Sequence, residues 1–339
     1  MKIQFLRDLS GVKSASYNYL PVLVDSNKNV KESYDRCCWR KYLREHQRND
    51  QTVTAFNSDL YFRHLKTNTI GKVLLYVPVL NSTMNLFDGS VCDADLLNRL
   101  VVVADVQREG RGRGANKWIS PSGCIAFSFF ISRPTSSTLM KYCSWLQHIS
   151  VLSIVDSIRS SEAYAETPLR LKWPNDIYTA DGVKIGGVLV KSAVSSVSCS
   201  FVMGCGLNFA NEKPTVSLLS ILPKNVPQLH AEQVIAMALS RMEQFVSMLE
   251  EHKIAELQAL YRKHWLHSGQ KVTMVDTGEL VEVVDLDKHG YLLVRSEEDG
   301  KTFSLQPDGN SFDMMHNLIR SKTCNPPRAR LFPLERKAK

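Results

Sequence analysis

Two arginines set among three glycines are the residues of this chain whose types and spacing most directly suggest chemistry. Residues 107–122, QREGRGRGANKWISPS, place Gly110, Gly112 and Gly114 around Arg111 and Arg113. Glycine lets a backbone approach a ligand and adopt positive φ, and a guanidinium offers forked donors that match carboxylate or phosphate oxygens. The segment therefore suits an anion. Three readings stay open on these residues alone: a clamp on a small anionic ligand, an arginine-glycine tract that binds nucleic acid loosely, and a solvated surface loop. No Gly-Lys-Ser/Thr ending follows, so this is not a P-loop.

Three further segments carry polar groups at turns. Residues 171–190, LKWPNDIYTADGVKIGGVLV, hold a Trp-Pro-Asn-Asp turn presenting Asn175 and Asp176, then a second turn leading to Lys184 and the pair Gly186 and Gly187. A lysine beside two glycines can point into a site that a bulkier neighbour would block. The alternative is a hairpin with a surface lysine. At 204–208, GCGLN, an apolar strand ends in Asn208, whose amide can bond a base or ribose or else cap a turn. Asn81, Ser82 and Thr83 follow another apolar run, where the two hydroxyls can meet a small polar ligand or cap a helix.

The elements that must position these groups are legible as apolar runs. Residues 72–80 (KVLLYVPVL) and 100–104 (LVVVA) have the composition of buried strands, and 124–131, 169–172, 187–191 and 198–204 are further strand candidates. Residues 138–159 are apolar on most sides, which predicts a buried helix. From 229 to 261 apolar residues recur at helical spacing, giving one long amphipathic helix or a broken pair. Beyond Trp265 the pattern shortens to alternating segments at 271–275, 280–286, 291–295 and 302–305, with turn signals between them. The expected organisation is an extension over 1–70 that is poorly ordered, a core domain of mixed sheet and helix over 71–264, a small β-barrel-like domain over 265–325 and a basic tail over 326–339.

Bulk composition is consistent with this. A chain of 339 residues with 44% hydrophobic content can bury a real core. Its formal net charge of +8 favours anionic partners without choosing among nucleotide, nucleic acid and acidic protein. No apolar run reaches the about 18 residues needed to span a bilayer, and the first twenty residues lack the apolar core of a secretory signal. The eight cysteines show neither paired CxxC spacing nor the density of a disulfide scaffold, so reduced thiols and a cytoplasmic location are expected, with organellar targeting as the lesser alternative.

Taken in order, the four segments resemble one family. Ser82 and Thr83 after the first strand, GRGR followed by KW and SP, KWPND, KIGGVLV and GxGxN are together similar to the biotin protein ligase (holocarboxylase synthetase) family. The resemblance runs from about Gly71 to the C-terminus, where residues 305–319 (LQPDGNSFDMMHNLI) look like the family's eukaryotic signature. It implies an α+β fold: a class II synthetase-like domain of mixed sheet packed with helices, which binds biotin and ATP, and a small C-terminal SH3-like β-barrel. It also implies formation of biotinyl-AMP from biotin and ATP with Mg²⁺, then transfer of biotin to a lysine of a carboxylase acceptor domain. A lipoate-protein ligase of the same fold is the enzymatic alternative, and a basic RNA-binding module is the alternative from another class.

The same resemblance assigns roles. Ser82, Thr83 and Gln107 would bond the ureido head of biotin, and Gly110, Arg111, Gly112 and Arg113 would close over the carboxylate and the α-phosphate. Lys184 would stand between those two anions, and Asp176 would orient or deprotonate the acceptor lysine. Trp118 would pack near the closed loop, Asn208 would meet the adenosine, and Lys172, Asn175 and Gly187 would complete the ligand site. No protein ligand set for a metal is visible. Two departures stand out: Met84 after Ser-Thr, where bacterial relatives carry a polar residue, and Lys191, where many relatives have an acidic or amide residue. The first seventy residues show no helix-turn-helix, so repressor activity is not expected.

Overall fold

The computed structural model describes residues 3–5, 22–25, 56–88, 94–114, 116–212, 215–307, 310–313 and 318–321. They divide into two compact units, Met1–Leu266 and His267–Lys339.

The first unit is built on a nine-stranded mixed sheet. Its strands are β1 (Ile3–Phe5), β2 (Val22–Asp25), β3 (Val73–Tyr76), β5 (Leu100–Ala104), β8 (Cys124–Pro134), β9 (Leu169–Lys172), β10 (Asp176–Thr179), β11 (Lys184–Val194) and β12 (Ser198–Asn208), in the spatial order β1-β2-β3-β5-β8-β12-β11-β10-β9. Only β3 and β5 pair in parallel. Every residue of these two strands is buried, as a continuous apolar run demands when both faces of a sheet are covered. On one face Val73, Leu75, Leu100 and Val102 pack with Leu86, Phe87 and the Leu96 and Leu97 side chains of helix α2 (Ala94–Arg99).

The other face carries the long helices. Helix α3 (Trp145–Arg159) is buried at every position except Gln147 and Arg159, because it lies between the sheet and α4 (Ala231–Glu250) and α5 (Ile254–His264). Its buried serines satisfy their hydroxyls by donating back into the helix: Ser150 Oγ to the Leu146 carbonyl at 2.6 Å, Ser153 Oγ to that of Ser150 at 2.8 Å and Ser157 Oγ to that of Ile154 at 3.0 Å. Asp156 is tied by Arg241 Nε at 2.8 Å and by His264 Nε2 at 3.2 Å. Arg159 donates to the other ring nitrogen of His264 at 3.3 Å, which makes Nε2 the protonated one. The long helical pattern over 229–261 is the broken pair, divided at Glu251–Lys253.

Four expectations need correction. The expected strand over 72–80 is two strands, β3 and β4 (Val79–Leu80), because Pro78 cannot donate to a ladder; its carbonyl instead accepts from Asp105 and Val106 at 3.2 and 3.0 Å. The Gly-Arg segment is not a free loop. Residues Val106–Arg111 form β6 and Lys117–Ser120 form β7, so the segment is a hairpin in a small sheet ordered β4-β6-β7.

Residues 56–70 are part of the core and not of a poorly ordered extension. Helix α1 (Ser58–His64) is capped by Asn57, which accepts from Leu60 N at 2.9 Å, and the fully buried Tyr61 donates to the Gly71 carbonyl at 2.9 Å. The Glu243 carboxylate accepts from Asn68, Thr69 and Ile70 backbone N–H groups. A polar stretch is thus ordered by a partner more than 170 residues away, which local composition does not reveal. Finally, Trp265 and Leu266 belong to the first unit, since Leu266 N donates to the Leu171 carbonyl at 3.0 Å; the division falls after residue 266, not 264.

The second unit is all β. Strands β13 (Lys271–Met274), β14 (Leu280–Leu286), β15 (Leu292–Ser296) and β16 (Thr302–Leu305) match the alternating segments, and β17 (Asn310–Asp313) and β18 (Leu318–Ser321) complete a sheet ordered β16-β15-β14-β13-β18-β17. The basic tail expected over 326–339 lies outside the described residues.

Candidate active site

Strand alternation on β12 sets the floor of the site. Phe201, Met203, Cys205 and Leu207 point into the core, so Gly204 and Gly206 face the opposite way. Both are glycines because other side chains lie directly on them. A Cβ at Gly204 would stand 2.5 Å from Met84 Sδ, and one at Gly206 would stand 2.4 Å from Trp118 Nε1. Met84, read from sequence as a departure, fills the space over Gly204. The Trp118 indole lies on Gly206, and its N–H is buried with no hydrogen-bond partner.

Around Trp118 two polar groups gather. On one side, the β6–β7 hairpin pairs Gln107 with Ser120 and Gly110 with Trp118. Gln107 Oε1 accepts from Thr83 N at 2.9 Å and from Thr83 Oγ1 at 3.1 Å, and Gln107 Nε2 donates to Ser120 Oγ at 3.2 Å. Thr83 spends its single proton on Gln107, so Ser128 is the donor in their 2.7 Å contact. Ser82 and Thr83 are 2% exposed at the start of a short 3-10 turn. Ser120 and Ser128 were not singled out in the sequence; a serine fully buried within the apolar strand CIAFSFFI was the available signal for Ser128.

On the other side stands an ion triad. Lys184 Nζ lies 2.7 Å from Asp176 Oδ1 and 5.7 Å from the Trp118 ring centre, while Lys172 Nζ lies 4.0 Å from Asp176 Oδ2. The Asp176 and Lys172 side chains are 15% and 13% exposed; that of Lys184 is 40% exposed and so reaches the open side. Gly187 is required here, since a Cβ would meet Asp176 Oδ1 at 2.9 Å and the Asn175 carbonyl at 3.2 Å. Asn175 locks the preceding turn onto β11, its amide donating to the Val188 carbonyl at 2.6 Å while its own carbonyl accepts from Val188 N at 2.9 Å.

The remaining expected residues divide. Arg111 sits at the end of β6 with Nη1 3.3 Å from Asp88 Oδ2, and Lys191 reaches both Asp88 oxygens at 3.5 Å. Arg113 lies in the hairpin turn, half-buried, and the turn is closed by Gly112 N donating to the Asn116 carbonyl at 2.8 Å. Asn208 is buried at the end of β12. Its amide donates to Thr215 Oγ1 at 2.5 Å and its oxygen accepts from Cys124 Sγ at 3.6 Å, so in this arrangement it ties the following loop. Burial pushes the Cys124 thiol up to about 12, which keeps it an uncharged neighbour. Below the hairpin, Asp105 accepts a short hydrogen bond from the Tyr76 hydroxyl; burial raises its carboxyl to about 6 against the lowering effect of that bond, and Glu232 adds to the rise. Asp88 and Asp105 carried no signal in the sequence.

A mixed sheet with its long helices on one face carries, on the other, a glycine-floored site lined by an amide, hydroxyls and lysines, which suits a small polar ligand with an anionic end, and comparison gives the class. The Biotin/lipoate A/B protein ligase family matches residues 76–208, and the Biotin protein ligase C terminal domain matches residues 267–316. Biotin protein ligase 2 of Arabidopsis thaliana is 31% identical over 79% of this chain and 83% of that protein. Biotin protein ligase of Homo sapiens is 37% identical over 79% of this chain, and the chain spans 38% of its length. Among solved structures, biotin protein ligase from Aquifex aeolicus in complex with biotin and ATP shares the fold, with a TM-score of 0.55 at 24% identity over 69% of this chain and 96% of that one. The chain belongs to the biotin protein ligase family.

Proposed function

We propose that the chain joins biotin to ATP as biotinyl-AMP and then transfers biotin to a lysine of a carboxylase acceptor domain. The observation that carries this reading is the β6–β7 hairpin, which holds Gln107 and Ser120 of the network with Thr83 and also carries Trp118, whose ring centre lies 5.7 Å from Lys184 Nζ. The network offers fixed donors and acceptors to a ureido head, which an aliphatic acid lacking that group cannot match. Lys184 supplies the cation needed where two anions must approach.

In the first half-reaction a carboxylate oxygen of biotin attacks the α-phosphorus and pyrophosphate leaves. The Lys184 ammonium offsets the repulsion between carboxylate and phosphate and stabilises charge as it builds on phosphorus. Asp176 holds that ammonium in place, and Lys172 keeps the carboxylate from being an uncompensated charge. Arg111 and Arg113 close on the anionic parts of the ligand. In the second half-reaction the acceptor lysine amine attacks the acyl carbon and AMP leaves. That amine is protonated near neutral pH and must lose a proton before it attacks; Asp176, the carboxylate beside Lys184, orients it and accepts that proton.

Mg²⁺ would travel with the nucleotide, shielding its phosphates. Among the described residues no group of three or more His, Cys, Asp or Glu side chains gathers to hold a metal ion. A cytoplasmic location, expected from the cysteine pattern of the sequence, belongs to this proposal. The test is incubation of the purified protein with ATP, biotin and a biotin-acceptor domain, read by streptavidin blotting. Signal that requires ATP and is lost in Lys184→Ala supports the reading; adenylation of lipoate but not biotin overturns it.

A further inference from the structure

Asp88 is an acidic side chain held between two cations from different strands. Its Oδ2 lies 3.3 Å from Arg111 Nη1 on β6, and both its oxygens lie 3.5 Å from Lys191 Nζ on β11. The turn that ends at Asp88 begins with Ser82 and Thr83, so one carboxylate joins the three segments carrying the polar network, the hairpin and Lys184. All three side chains are between 35% and 46% exposed, so water screens the contacts and they can exchange partners.

Arg111 cannot serve Asp88 and a ligand anion fully at once. We propose that Asp88 is a positioning residue that holds Arg111 away from the ligand until an anion displaces it, and that Lys191 makes the exchange possible by keeping Asp88 paired after Arg111 leaves. This rests on the ligase reading, because it names the carboxylate of biotin as the displacing anion. A ligand shifts such an equilibrium only by its differential interaction with the two arrangements, so Asp88 must oppose binding of the anion. Had Asp88 instead oriented Arg111 for the ligand, its loss would weaken binding. The two possibilities differ in sign.

The experiment is calorimetric titration of the full chain, wild type and variants, with biotin and with biotinol, in which an uncharged hydroxymethyl group replaces the carboxylate. Asp88→Asn should tighten biotin binding by roughly two- to fivefold, the scale of an exposed ion pair, and leave biotinol unchanged. Lys191→Ala should weaken biotin binding by a similar factor, and that effect should vanish in the Asp88→Asn background. Weaker or unchanged biotin binding by Asp88→Asn overturns the proposal, as does an equal change for biotinol. If Lys191→Ala weakens binding equally in both backgrounds, Lys191 acts through its net charge and the exchange is disproved. If wild type binds neither molecule, the ligase reading falls and this inference with it; binding by wild type with no gain in Asp88→Asn removes the inference alone.

Discussion

Lys184 and Asp176 are a bonded pair, Nζ to Oδ1 at 2.7 Å, formed between the first residue of β11 and the first of β10. The lysine is half open to solvent while the aspartate is largely covered, so the pair directs its positive end outward. Fixing a cation in this way places charge stabilisation in the site before a ligand arrives.

Lys184→Ala should therefore lower the rate of adenylate formation by about 10²-fold or more while leaving the fold intact. Pyrophosphate release checks the rate, and a melting temperature near wild type checks the fold. A variant that retains most of the rate would remove Lys184 from the chemistry.

The two glycines of β12 should differ in their response to a methyl group. In Gly206→Ala the new carbon meets the rigid Trp118 ring at 2.4 Å, and a displaced ring should cost on the order of 10²-fold in rate. In Gly204→Ala it meets the flexible Met84, which can bend aside, so the loss should be smaller. Initial rates of the two variants, compared side by side, decide the order.

Thr83→Val keeps shape and removes the hydroxyl shared by Gln107 and Ser128. The buried partners lose a donor and an acceptor, at a cost of about 1–3 kcal/mol, and the biotin KM should rise because Gln107 keeps only its bonds to Thr83 N and Ser120 and is held less firmly. Chemical denaturation and steady-state kinetics measure the two effects; stability unchanged within error would contradict the network.

The pH dependence of stability has a predicted direction at Asp105. Its carboxyl titrates near about 6 in the folded chain, chiefly because it is buried, against about 3.9 when unfolded. A raised acid favours the folded state most below the unfolded value, and that contribution disappears as pH rises through about 6. Asp105→Asn should flatten this fall and leave the protein more stable than wild type above pH 6. Melting temperatures between pH 4 and 7.5 provide the comparison, and a variant less stable at pH 7.5 would refute the assignment.

The strands and the buried helix were legible because burial on both faces leaves uninterrupted apolar runs, as in LVVVA and CIAFSFFI. Lys184, Asp176, Gly187, Thr83 and Gln107 were legible as a family pattern where each alone was ambiguous, and the structure brings the first three together and the last two together. What stayed hidden depends on contacts distant in sequence. Glu243 ordering residues 68–70, Tyr76 reaching Asp105 and Asp88 bridging Arg111 and Lys191 all join positions that have no local signature. Asn208 kept both its readings in sequence, and Thr215 decides which one the structure uses.

The ladders also assign different lifetimes to the two walls of the site. β11 pairs with β12 over nine residues and β12 with β8 over eleven, whereas β6 and β7 share three registered pairs. Amide protons on the Lys184 wall should exchange with solvent only through large openings, and those of the Arg111 wall through brief local ones. The reaction proposed above, which would admit two small substrates and later a protein domain, could thus open one wall many times without loosening the other.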